Sequence, residues 1–146
     1  MNGKFFSKNE ASISVFDRGF LFSDSVYEVS AVIRGNLVDW QEHFARLLRS
    51  LDHLNLKNNF QEEDFYQIQK NLIKENGLEE GLCYIQVTRG VAERDFNFAK
   101  HLLSPTVVIF TQEKLILSNP ASKVGIKIIT VPDDRWRRRD IKTTQL

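Results

Sequence analysis

Cysteine is nearly missing from this sequence. Cys83 stands alone among 146 residues, so no disulfide can close within the chain and no multi-cysteine metal cluster can form. Histidine is scarce as well: His43, His53 and His101 are scattered without ligand spacing, and no metal site is expected. No apolar run approaches the roughly 20 residues that cross a bilayer. An excess of charge of either sign is also lacking, with 20 basic against 19 acidic residues and a formal charge of +1. That balance argues against a global electrostatic grip on nucleic acid or on an acidic membrane. The opening MNGKFFSKNEAS has neither the apolar stretch nor the small-residue cleavage site of a secretory signal. A reduced, soluble, cytoplasmic protein with no membrane or nucleic-acid partner is expected.

What is present is enough for a core. With 42% hydrophobic and 27% charged residues, the chain can form one domain of ordinary size, or one domain plus the start of another. The segment from Val26 to Arg34 is rich in β-branched residues, and Gly35-Asn36 precedes a resumption at Leu37. This predicts a strand and a hairpin turn over Arg34 to Leu37. Shorter strands are expected at Lys4 to Phe6 and Ser12 to Phe16, with a turn at Gly19. The period then changes. Phe44, Leu47, Leu48, Leu51 and Leu54 form one stripe of an amphipathic helix starting near Gln41. Phe65, Ile68, Leu72 and Ile73 suggest a second helix. Glu62, Glu63 and Asp64 suit its positive N-terminal end, and Asn76-Gly77 supplies a stop.

Two further strands are predicted at Leu82 to Thr88 and Thr106 to Thr111. Between them runs a long connection, Arg89 to Pro105, and connections of that length in a compact domain are usually functional or disordered. Strands, then helices, then strands argue for an α+β domain in two layers, a mostly antiparallel sheet against helices, and not for alternating βαβ units. Residues 1–117 are read as that domain and 118–122 as a linker. Residues 123–146 are read as the first strand (Val124 to Val131) and loop of an incomplete second domain.

Four stretches carry candidate chemistry. Tyr27 and Glu28 open the first long strand, and strand ends are good places for positioned polar groups. His43 and Arg46 lie one turn apart on the first long helix. A guanidinium there is commonly just a solvated charge, but its fork of donors also matches phosphate oxygens. Arg94 sits in the long connection beside Phe96 and Phe98, where it is either a surface arginine or a carboxylate ligand in a partly dry pocket. Arg135 to Lys142 packs four arginines around Trp136. That could be a base-stacking and phosphate-binding run, or a loop neutralised by Asp133, Asp134 and Asp140.

Taken together, DRGFLFSDSVYEV (17–29), EHFARL (42–47), YIQVTRG (84–90) and RWRRRDIK (135–142) resemble the fold-type IV aminotransferases that use pyridoxal phosphate, above all the D-amino acid aminotransferases. The four stretches come in family order at family-like spacing. The resemblance implies a catalytic lysine at Lys142 that holds the cofactor aldehyde covalently. It makes Arg46 the ligand of the cofactor phosphate, Tyr27 and Glu28 residues of the substrate side, and Arg94 the ligand of the substrate carboxylate. The substrates implied are an amino acid, a D-amino acid above others, and a 2-oxo acid, handled by a homodimer.

One departure bears on the substrate. The family's carboxylate trap has a histidine two residues beyond the arginine, and Phe96 stands there instead, with neither donor nor charge. Branched-chain aminotransferases and aminodeoxychorismate lyases share the fold and stay open as alternatives. A non-catalytic dimerising scaffold and an arginine-rich nucleic-acid module are more distant ones. The family continues into a second domain that completes the cofactor site, so the 146 residues alone are expected to hold pyridoxal phosphate weakly or not at all, and not to turn over.

Overall fold

The computed structural model describes residues 1–56, 61–97 and 103–133. A short helix α1 (Arg18–Phe22) leads into β1 (Ser25–Ile33), which turns back into β2 (Asn36–Leu37). Two long helices follow, α2 (Trp40–His53) and α3 (Glu62–Glu75), and then β3 (Glu80–Thr88), β4 (Thr106–Glu113) and a single turn, α4 (Ala121–Val124). The strands form one antiparallel sheet in the order β2-β1-β3-β4. The fold is therefore α+β, with helices layered on a sheet.

Side-chain alternation along the strands decides which face is covered. Val26, Glu28, Ser30 and Val32 of β1 are buried and lie opposite Val87, Ile85, Cys83 and Gly81 of β3. Against this face α2 sets Trp40, Phe44, Leu47 and Leu51, and α3 sets Phe65 and Ile73. The α2 residues are spaced by three and four, and Phe65 and Ile73 of α3 lie eight apart with buried Gln69 midway, so each helix buries one stripe. Leu48 and Leu54, which the helical pattern includes in the stripe, stay exposed. They lie at its edge, beyond the width the sheet can cover. The hairpin is tight because Arg34 and Gly35 both take positive φ, 51° and 70°, the backbone that suits the strand twist. Only Val32 and Ile33 of β1 pair with β2. Among the described residues, no strand lies beside the outer edge of β1 from Ser25 to Ser30.

Four sequence expectations need correction. Lys4 to Phe6 and Ser12 to Phe16 form no strand; Asn2, just before the first, bonds Val107 in both directions at 2.9 and 2.7 Å, and Phe16 of the second accepts the Ala92 N–H. The turn expected at Gly19 is helix α1, because Asp17 Oδ1 accepts the Gly19 N–H at 2.8 Å and caps it. Val124 to Val131 is not a strand: beyond α4 its backbone joins no ladder, and Ile126, Ile128 and Ile129 are each at least three-quarters exposed. The alternation suits a strand, but a strand also needs a neighbour to pair with.

Candidate functional site

One end of the sheet gathers most of the polar residues, where β1 starts and β3 stops at the Ser25–Thr88 pair. Glu28 is on the covered face, its side chain only 3% exposed. A carboxylate in that environment needs partners, and α2 supplies two. Arg46 donates through Nε to Oε1 at 2.5 Å and through Nη2 to Oε2 at 2.7 Å. His43 Nδ1 lies 2.8 Å from Oε2. A carboxylate can only accept, so Nδ1 carries the proton. The 3.4 Å separation of Arg46 Nη2 and His43 Nδ1 then brings two donors together around the same anion.

Burial pushes the Glu28 pKa up, but the hydrogen bonds from Arg46 and His43 outweigh it and hold the acid below its ordinary 4.5. Glu28 raises the Arg46 pKa in turn, with a smaller share from Tyr27. Tyr27 projects from the opposite face of β1 and is 65% exposed. On that open face the Tyr27 ring stacks on Tyr84 at 5.7 Å, and Tyr84 stacks on Phe110 at 4.8 Å. Tyr84 donates to Gln86 Oε1, and Gln86 donates to Ser25 Oγ.

A second ion cluster fixes the loop after β3. Asp24 Oδ2 accepts from Arg18 Nε at 3.0 Å and from Arg89 Nε at 2.7 Å. Burial raises the Asp24 pKa, but the Arg89 and Arg18 hydrogen bonds prevail and lower it overall. Arg18 also donates to the Asp95 carbonyl at 2.9 Å and covers the Phe22 ring. Buried Asp17 accepts from Thr88 Oγ1, which itself accepts the Gly90 N–H. Arg94, on this loop, stacks over Phe22 and Phe96.

The structure thus brings Glu28 and Arg46 into one clamp. It sets Tyr27 across the sheet from Glu28 and places Arg94 against α1, at the same end of the sheet. Lys142 and the run Arg135 to Arg139 lie outside the described residues. The sequence pattern pairs His43 with Arg46 but not with Glu28. The available signal was the register: an acid on the Val26–Val32 face must find hydrogen-bond donors on the helix that covers it. Asp24 with Arg89, and Phe22 beneath Arg94, bring together residues far apart in the chain and left no local signal.

The Arg46 guanidinium fits a phosphate. It is anchored at its back by Glu28, its side chain is 55% exposed, and its Nη1 has no partner among the described residues. With the Arg46 charge offsetting that of Glu28, an incoming oxyanion meets donors and little net repulsion.

A family model described as amino-transferase class IV matches residues 25–146. The chain belongs to the class IV amino-transferase family. The D-alanine aminotransferase of Staphylococcus aureus strain MSSA476 is 38% identical over 148 residues, covering 100% of this chain and 51% of that protein. The D-alanine aminotransferase of Bacillus licheniformis is 34% identical, over 99% of this chain and 50% of its own length. The chain spans about half the length of the curated relatives it matches. Among class IV structures, the Escherichia coli branched-chain amino acid aminotransferase superposes with a TM-score of 0.73 at 15% identity, covering 82% of this chain and 40% of that one. The Pseudomonas aeruginosa 4-amino-4-deoxychorismate lyase gives 0.64 at 23% identity, covering 94% and 42%. At such identities these two structures support the fold alone.

Proposed function

We propose that this chain carries the Arg46 and Lys142 portion of a pyridoxal-phosphate-dependent aminotransferase that passes the amino group of a D-amino acid to a 2-oxo acid. The likeness to D-alanine aminotransferases supports the choice of D-amino acids. The observation that carries the cofactor assignment is the Glu28-anchored, outward-facing guanidinium of Arg46. Pyridoxal phosphate, when bound, supplies the aldehyde and the electron-withdrawing ring through which an amino group passes between carbon skeletons.

The chain's own residues take the remaining tasks. Arg46 holds the phosphate with its free edge, and Glu28 and His43 keep it from swinging away. Lys142 is assigned the covalent hold on the cofactor and the proton at the substrate α-carbon, which requires a lysine kept neutral by desolvation and neighbouring cations. Tyr27 and Arg94 are assigned to the substrate side; Glu28, which the resemblance set there too, is buried and serves Arg46 instead. The working enzyme is read as a cytoplasmic homodimer, with residues 123–146 opening a second domain beyond the 118–122 linker. The 146 residues alone are expected to label weakly and not to turn over.

The test adds pyridoxal phosphate to the purified chain, reduces with borohydride and maps the peptides, with Lys142→Ala in parallel. Cofactor mass confined to the peptide containing Lys142, and absent from the variant, is expected. Equal labelling of many lysines, unchanged in Lys142→Ala, would overturn the assignment. Arg46→Ala should weaken cofactor binding by about ten- to a hundredfold, since a charge-assisted fork is lost.

A further inference from the structure

The clamp around Glu28 contains a ring whose charge can change near neutrality. His43 Nδ1 donates to Glu28 Oε2 at 2.8 Å, so in the neutral ring Nε2 is the unprotonated nitrogen. Nε2 has no hydrogen-bond partner among the described residues, and the His43 side chain is 21% exposed. Solvent can therefore deliver a proton to Nε2 while the bond from Nδ1 to Glu28 stays as it is.

Two elements surround the ring. From β1, Glu28 faces it; from α2, Arg46 Nη2 lies 3.4 Å from Nδ1. The other ionisable groups close in sequence are Asp39, at the start of α2, and Glu42, and both are exposed. Tyr27 leaves β1 on the opposite face. Because Arg46 and His43 hold Glu28 below its ordinary 4.5, Glu28 is ionised wherever an imidazole titrates. With His43 neutral, the charges of Glu28 and Arg46 cancel. With His43 protonated, the three side chains carry one net positive charge beside the half-exposed Arg46 guanidinium.

From this arrangement we infer that His43 is a positioning residue that acts as a charge switch on Arg46. Protonated, it strengthens the hold of Arg46 on an oxyanion, and an oxyanion bound there draws a proton onto His43. The inference rests on the reading of Arg46 as the holder of the cofactor phosphate and adds how that hold is regulated. The two effects are one coupling seen from either side, so they have the same size. No side chain has to move, because the hydrogen bonds around Glu28 are the same in both states. One added charge several ångströms away, near the surface and at ordinary salt, changes anion affinity by about three- to tenfold.

The test needs no cofactor. Its probe is sulfate, which keeps both of its charges where an imidazole titrates, whereas phosphate does not. The 146-residue chain is titrated with sulfate at about pH 5.5 and about pH 8, at constant ionic strength, following the Arg46 Cζ resonance. Sulfate should bind about three- to tenfold more tightly at the lower pH. The His43 ring resonances should titrate at higher pH with sulfate than without it. Those of His53, at the other end of α2 and about 15 Å away along the helix, should not move. His43→Gln keeps a donor for Glu28 but has no titrating charge, so it should flatten the pH dependence. A purely structural role for His43 would leave that dependence in place. Equal sulfate affinity at the two pH values, an unmoved His43 titration, or a pH dependence that survives His43→Gln would each overturn the switch and leave Arg46 as an anion holder. An Arg46 resonance that ignores sulfate at both pH values would fell the phosphate assignment and the switch with it, so the two failures are distinguishable.

Discussion

At the scale of single residues, the buried acids govern how this protein responds to pH. Glu28 and Asp24 both have folded pKa values below their ordinary 4.5 and 3.8, because arginine hydrogen bonds overcome burial. A depressed acid adds stability that is complete above its unfolded pKa and is lost as pH falls through the folded value. The midpoint of thermal unfolding should therefore be flat near neutrality and fall in acid. Glu28→Gln should be less stable than the unaltered chain at neutral pH, and the gap should narrow as pH drops toward about 3. A constant gap, measured by circular dichroism melts, would show that the carboxylate charge is not the stabilising feature. The Glu28 register was legible from strand alternation, whereas the identity of its partners depended on how α2 lies across the sheet.

At the scale of elements, the packing of α1 on β3 rests on the smallest side chain available. A Cβ on Gly19 would come within 2.8 Å of Thr88 Cβ and closer still to the Thr88 methyl. Thr88 cannot retreat freely, since its hydroxyl donates to Asp17 and accepts from Gly90. Gly19→Ala should cost about 1–3 kcal/mol, the usual range for overpacking. Thr88→Ser removes the methyl and keeps the hydroxyl, so the double variant should recover part of that loss. Urea unfolding of the set tests this; an additive double variant would mean the two side chains do not meet. The same contact explains why α1 escapes a reading by periodicity. Five residues are too few to show a helical period, and the helix is held by the Asp17 cap and the Thr88 contact.

Across the whole molecule, apolar surface is distributed unevenly. The covered face of the sheet is packed by α2 and α3, while the other face displays the Tyr27–Tyr84–Phe110 stack. Val124, Ile126, Ile128, Ile129 and Val131 are all exposed as well. Exposed apolar surface on this scale favours association, and a β-branched stretch with unpaired backbone adds to it. The chain should self-associate in sedimentation velocity runs, and Ile126→Lys with Ile128→Lys should reduce the associated fraction. A monomer at every concentration would contradict this expectation.

Sequence alone determined what depends on short-range pattern: the long strand of β1, the glycine hairpin, the two helices with their buried stripes, and the order of stretches that marks the class IV family. These follow from periods of two and of three to four residues, and from turn chemistry, all of which act within a few positions along the chain. Tertiary structure decided the rest. Whether Val124 to Val131 pairs as a strand depends on a neighbour. Which cations meet Glu28 and Asp24 depends on packing across the sheet, and so does the seating of Arg94 between Phe22 and Phe96. Most of those contacts join residues 15 to 72 positions apart, and no local periodicity encodes a distance of that kind.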